Sequence, residues 1–158
     1  MGSVAVQIAA AAGARPLGVA SPANHDYLRS LGATDVFDYH APDWAEQVRA
    51  AVPGGVDLLF DAAGGKTGDQ ALGAVRDGGR AIFIVLQGNP PDQFERGITG
   101  EAFAASITRD RLEALTSLVD SGKLRAQVGE VLPLDQARQA LTQIAGGHTR
   151  GKIVLQTG

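Results

Sequence analysis

Asp57 and Asp61 stand four residues apart in Val56-Asp57-Leu58-Leu59-Phe60-Asp61. On a strand this spacing turns both carboxylates to one face, which suits general acid–base chemistry and equally suits two caps at the ends of a buried strand. Asp61 also opens Asp61-Ala62-Ala63-Gly64-Gly65, a small-residue turn where a flat ligand could lie against backbone or the chain could simply reverse. Near the end, Gly146-Gly147-His148-Thr149-Arg150-Gly151-Lys152 is basic and glycine-rich. It reads as an exposed loop or, through the planar donor fork of Arg150, as a phosphate contact.

Several chemistries lack their residues. Gly65-Lys66-Thr67 is similar to the end of a phosphate-binding loop, but Phe60 stands where the pattern needs its first glycine. No Tyr-x-x-x-Lys pair occurs, since Leu31 follows Tyr27 and Asp43 follows Tyr39 at that spacing, and no G-x-S-x-G elbow occurs either. A complete G-x-G-x-x-G fingerprint is also missing. Only Gly2 stands at the mouth of the first helix, whose free N–H groups and positive dipole end would suit a pyrophosphate or merely begin a helix. With no Cys in the chain, disulfides, thiol nucleophiles and cysteine zinc sites are excluded, and His25, His40 and His148 match no helical zinc pattern.

Composition bounds the rest. The chain has 158 residues, 44% hydrophobic and 20% charged, enough for one soluble globular domain with a core. Its 21 glycines are nearly twice the usual share of about 7%, so tight turns and close backbone approaches are expected. A net charge of −3 points away from nucleic acid, and no apolar run approaches the ~20 residues that span a membrane. No Lys or Arg precedes Val4-Ala5-Val6-Gln7-Ile8-Ala9, so a signal peptide is not indicated and a cytoplasmic protein is expected.

The elements that would position these residues alternate. A helix from Ser3 to about Ala12, buried on most sides and ended by Gly13, precedes a strand in Pro16-Leu17-Gly18-Val19-Ala20. Ser21-Pro22 offers an N-cap and a first-position proline for a helix to Gly32. Then come a strand at Asp35–Tyr39, a helix from about Pro42 to Ala51, the strand Val56–Phe60, a helix from Thr67 to about Val75, the turn Asp77-Gly78-Gly79 and the strand Ala81–Leu86. Gln87 to Gly100 reads as a loop at a strand's carboxyl end, where such sheets bind ligands. A short strand from Ala102 to Ser106, a helix from about Arg109 to Ser121, a strand around Gly129–Leu132, a helix from Asp135 to about Ala145 and the strand Lys152–Gln156 complete the chain. Unbroken apolar strands alternating with helices predict an α/β fold, a doubly wound parallel sheet of Rossmann-like type.

Gly2-Ser3-Val4-Ala5-Val6-Gln7-Ile8-Ala9, the run Ala20 to Ala33, Asp35-Val36-Phe37-Asp38-Tyr39, Phe60 to Gly65, Leu118 to Leu124 and Gly147 to Leu155 occur in an order that resembles the medium-chain dehydrogenase/reductase superfamily. The likeness is to its zinc-independent, quinone oxidoreductase-like branch and covers nearly the whole chain. It implies hydride transfer from NADPH to a quinone or activated alkene without a metal, a small-molecule substrate and a dimer whose sheets join edge to edge. By position, Gly2, Ser3 and Val4 match the end of the pyrophosphate loop, Ser21 and Asn24 the adenosine ribose and 2′-phosphate region, and Tyr39 the adenine side. Ala63 and Gly64 match the turn after the fourth family strand, Val85 and Leu86 the nicotinamide edge, and Arg150 a position that can approach the cofactor. The residues add their own reason for NADPH: NAD enzymes carry an Asp or Glu about 20 residues past the glycines, and Ala20-Ser21 stands there instead.

The family's catalytic domain, first nucleotide-fold strand and glycine-rich turn are not matched, so the chain reads as a single dinucleotide-binding-type domain truncated at its N-terminus. Residues 128–158 resemble the segment that returns to the catalytic domain, leaving Gly129–Leu132 and Lys152–Gln156 free for swapping or dimerisation. In the strand order 3-2-1-4-5-6 the unmatched strand is central, between Leu17-Gly18-Val19 and Leu58-Leu59-Phe60. Buried unpaired groups cost about 1–3 kcal/mol each, so a row of them exceeds the ~5–15 kcal/mol stability of a domain. Either the two strands close directly, or another strand fills the gap in cis or from a partner chain, or the chain is a fragment. Two functional classes follow: an NADPH-dependent oxidoreductase, or a homodimeric non-redox protein that kept the scaffold for ligand binding, isomerisation or assembly. No catalytic acid or base is named by the sequence, because positioning carries most of such a hydride transfer.

Overall fold

The computed structural model describes residues 1–85, 94–147 and 149–157. The chain divides into two compact units, Met1–Ala114 and Leu115–Gly158. The first contains α1 (Gly2–Ala11), β1 (Leu17–Val19), α2 (His25–Ser30), β2 (Asp35–Phe37), α3 (Trp44–Ala51), β3 (Val56–Asp61), α4 (Gly65–Ala71), β4 (Val75–Phe83), β5 (Thr99–Ala102) and the start of α5 (Arg109–Asp120). Every strand pair is parallel, β1 with β2, β3 with β4 and β4 with β5, and α2 and α4 connect the first two pairs. This is the Rossmann-like α/β architecture that the alternation predicts.

The packing follows from where the large side chains fall. Trp44 and Val48, one helical turn apart on α3, are buried with Ala71 of α4 and with Ala74. Leu17 and Phe37 from β1 and β2, and Val56 and Leu59 from β3, pack on the same cluster. Trp44, 1% exposed, also donates its indole N–H to Gln70 Oε1 at 3.2 Å, so burying that polar edge leaves no orphan donor. On the other face of β1, Gly18 sits so close to α2 that an added Cβ would lie 2.8 Å from Leu28 Cδ1. A second cluster of Val75, Ala81, Phe83 and Ile98 fills β4 and its surroundings.

One ladder is missing. β1 and β2 form a two-stranded sheet and β3, β4 and β5 a three-stranded one, with no hydrogen-bonded pairing between β1 and β3 although both stand on the Trp44 cluster. Direct closure of the two strands is therefore not what this chain does.

Four local expectations are corrected. α1 is expected to be buried on most sides, yet Gln7 is its only buried residue and most of its other positions are half-buried. The turn Asp77-Gly78-Gly79 lies inside β4, where Gly78 takes φ +67° at an irregular stretch of the ladder with β3. The short strand after it runs Thr99–Ala102 and not Ala102–Ser106: as an edge strand with exposed side chains it needs no apolar alternation, only the ladder to Arg80–Phe83. Ser21 precedes the 3-10 turn Pro22–Asn24 but makes no side-chain capping bond to it.

The second unit holds β6 (Val128–Pro133), α6 (Ala137–Ala145) and β7 (Lys152–Gln156). β6 and β7 pair in parallel, Leu132 opposite Leu155, and Leu132 and Ala140 are buried. No helix among the described residues is long and apolar enough to cross a membrane.

Candidate functional site

At the carboxyl end of β1 the chain turns through Ala20 and Ser21 into the 3-10 segment. Asn24 donates its side-chain amide to Ser21 Oγ at 3.1 Å, and its backbone N–H to the Ser21 carbonyl at 2.9 Å. The sequence-predicted pair Ser21 and Asn24 is thus one hydrogen-bonded unit. Beside it His25 Nε2 lies 3.0 Å from the Ala20 carbonyl, which can only accept, so this nitrogen carries the proton.

The end of β2 carries Asp38-Tyr39-His40. Asp38 Oδ1 accepts the backbone N–H of His40 at 3.0 Å and its Nδ1–H at 2.7 Å, a tight Asx turn. The backbone N–H of His40, opposed by burial and assisted by the imidazole, holds the Asp38 carboxyl below its ordinary value, and His25 adds a smaller pull in the same direction. Tyr39 and His40 rings stand 4.1 Å apart at 32°, a partly exposed aromatic pair. His25 and His40 were not chosen from the sequence; the Asp-x-His spacing was the available signal for the second, and nothing local marked the first.

The paired-carboxylate reading of β3 fails. Asp57 is exposed and receives Arg76 Nε at 2.7 Å, while Asp61 is 5% exposed and accepts the backbone N–H groups of Ala63 and Gly64, each at 2.9 Å. Asp61 therefore shapes the turn, and it leaves so little room that a Cβ on Gly68 would collide with its Oδ2. Gly64 takes φ +70°, and a side chain there would meet Val85 Cγ1 at 2.9 Å. Gly64 and Val85, both predicted, are neighbours; Leu86 lies outside the described residues.

The start of α1 is open. Val4 and Ala5 donate to the Met1 carbonyl at 3.0 and 3.1 Å, and no atom lies within 4 Å of a Cβ built on Gly2. Ser21 with Asn24 and Gly64 with Val85 are direct neighbours, and Gly2, Ser3 and Val4 stand at the start of α1. Arg150 belongs to the second unit, where it lines an open hollow of about 470 Å³ with Glu130, Gln143 and Thr149. Among the described residues no three His, Cys, Asp or Glu side chains converge on a point that could hold a metal.

A family profile described as zinc-binding dehydrogenase matches residues 31–155. The chain belongs to the medium-chain dehydrogenase/reductase superfamily. Its fold is NAD(P)H-oxidoreductase-like. It is 30% identical to a probable zinc-binding oxidoreductase, mitochondrial, of Arthroderma benhamiae, over 89% of this chain and 43% of that protein. It is 28% identical to the trans-enoyl reductase himH of Aspergillus japonicus, over 99% and 49%. The crystal structure of an NAD-dependent alcohol dehydrogenase superposes with TM-score 0.88 at 29% identity, and that of the quinone oxidoreductase from Coxiella burnetii with 0.85 at 25%; each covers 99% of this chain, and 48% and 49% respectively of those chains. The chain spans about half the length of the relatives it matches.

The cytoplasmic expectation is overturned by the relatives. The Arthroderma protein and the human NAD(P)H oxidoreductase RTN4IP1, 25% identical over 98% of this chain and 45% of that protein, are both named mitochondrial. The error has a simple cause: a transit leader is read at the start of such proteins, and the residues around Val4 fall inside the matched half.

Proposed function

We propose that this superfamily member is the nucleotide-binding part of an NADPH-dependent, zinc-independent reductase of quinones or activated alkenes. The observation that carries the proposal is the Ser21–Asn24 pair at the carboxyl end of β1, with Ala20 and Ser21 where an NAD enzyme would place a carboxylate. Hydroxyl and amide groups there can donate to a 2′-phosphate, and no adjacent acid at Ala20 or Ser21 repels it.

The residues fit the cofactor best at its adenosine end. Ser21 and Asn24 would hold the ribose phosphate, the Tyr39–His40 pair would stack on adenine, and the backbone at Ala63 and Gly64 with Val85 would border the nicotinamide. Gly2, Ser3 and Val4 would contribute the helix end of the pyrophosphate site. The bound nicotinamide supplies the hydride, and the protein supplies orientation and exclusion of water. Residues 1–158 act as one dinucleotide-binding-type domain with 128–158 as its returning segment, and the working assembly is a dimer formed along β5, whose described ladder is with β4 alone.

Acceptors of this kind are suggested by relatives named trans-enoyl reductase and quinone oxidoreductase. A covered start of α1 would favour the non-redox alternative, and no heavy atom lies within 4 Å of a Cβ built on Gly2. The test is NADPH oxidation by the protein in its natural assembly against a quinone and an enone; turnover of either is expected, and tight NADPH binding with no turnover of any acceptor would overturn the redox assignment.

A further inference from the structure

The carboxyl end of β3 is organised around one buried acid. Asp61 ties three elements together: its backbone carbonyl accepts the N–H of Ile84, just past β4, at 3.1 Å, its Oδ1 accepts the N–H groups of Ala63 and Gly64, and its Oδ2 lies against Gly68 of α4. Burying a carboxylate is costly, and such a group is ordinarily paired with a cation. Among the described residues no Arg, Lys or His forms an ion pair with Asp61: Arg76 is held by Asp57 and Arg80 by Glu101, and Lys66 is exposed.

The shape of the turn does not require the charge. Asn or Ser at the head of such a turn can accept the same backbone N–H groups. Asp38 makes the comparison within this chain, because it builds an Asx turn at the end of β2 with its carboxyl hydrogen-bonded by the His40 ring and open to water. Asp61 has two backbone N–H groups, which share its charge without cancelling it, and little water. A charge kept in such surroundings is screened weakly and acts on whatever occupies the far side of the turn.

That neighbour, on the reading proposed above, is the nicotinamide bordered by Ala63, Gly64 and Val85. Its oxidised ring carries a positive charge and its reduced ring none. Ala62, Ala63 and Val85 bring no opposing charge to the turn. We propose that Asp61 sets the redox preference of the cofactor site, its buried carboxylate holding the oxidised nicotinamide more tightly than the reduced one. The inference rests on the nicotinamide assignment and adds to it. Tighter binding of the oxidised form lowers the potential of the bound couple, so the reduced cofactor becomes a stronger hydride donor in this site than in water. Asp61 is on this account a positioning residue through its two hydrogen bonds and an electrostatic one through its charge.

The test is a titration of the protein in its natural assembly with NADP⁺ and with NADPH, read as the ratio of the two affinities. Asp61→Asn keeps an oxygen for the Ala63 and Gly64 N–H groups and removes the charge; the ratio should move about five- to ten-fold towards NADPH. Asp61→Ser, whose hydroxyl can accept in a similar turn, is a second uncharged variant and should move it the same way. Asp57→Asn takes the same net charge from the exposed, Arg76-paired residue of β3 and should leave the ratio unchanged. Thermal unfolding reports damage to the turn, which would weaken both nucleotides together without shifting their ratio. An unchanged ratio in folded Asp61→Asn and Asp61→Ser, or an equal shift in Asp57→Asn, would overturn the proposal and leave the cofactor assignment standing. Failure of the unmodified protein to bind either nucleotide would overturn both.

Discussion

β3 meets different surroundings on its two sides. Val56 and Leu59 pack into the cluster around Trp44, whereas Leu58 and Phe60 remain exposed. The packed side draws all its partners from this chain: α3, α4, β1 and β2. The open side would need one more strand. Side-chain packing can tether two pieces of a sheet, but it cannot replace the ladder between them.

The strongest way to break the packed side is Trp44→Ala. It removes the largest fully buried side chain and its bond to Gln70, and should cost about 3–5 kcal/mol in denaturant unfolding, enough to unfold a marginal domain. Adjacent residues sharpen the contrast next. Leu59→Ala should cost about 2–3 kcal/mol, while Leu58→Ala should change stability by no more than about 0.5 kcal/mol. Equal losses at the two positions would mean that the open side is closed in solution.

A smaller effect concerns the carboxyl ends of the strands. Ser21→Asp puts a carboxylate at the end of β1, where it would repel a 2′-phosphate; NADPH affinity should drop by about ten-fold, or ~1.4 kcal/mol, with no loss of NADH affinity in calorimetry. The smallest expected effect is in acid. Asp38 has a folded-state value below its ordinary 3.8, so its contribution is present above that value and is lost as pH falls through the folded one. Asp38→Asn should flatten the acid limb of the stability curve in that window and leave stability slopes near neutrality unaltered.

Much of the packed side is visible in the sequence, because its signals are local. The apolar run Lys152–Gln156 is a strand with those same ends, and Gly13, with φ +79°, follows α1 where the glycine suggests. β5 was misplaced because Thr99-Gly100-Glu101-Ala102 has no apolar pattern; only its ladder to β4 defines it. Asp57 finds Arg76 nineteen residues away, a pairing that no local spacing announces. The composition of α1 announces burial, yet Gln7 is its only buried residue. At the candidate site, Ser21 with Asn24 and Gly64 with Val85 were legible through position in the family pattern, while His25 depends on a contact to the Ala20 carbonyl that only the folded turn creates.

The most direct measurement is a calorimetric titration of the chain with NADPH and with NADH in one buffer. NADPH should bind at least about ten-fold more tightly than NADH, through the 2′-phosphate at Ser21 and Asn24. Equal affinities, tighter NADH, or no heat from either nucleotide would contradict the assignment.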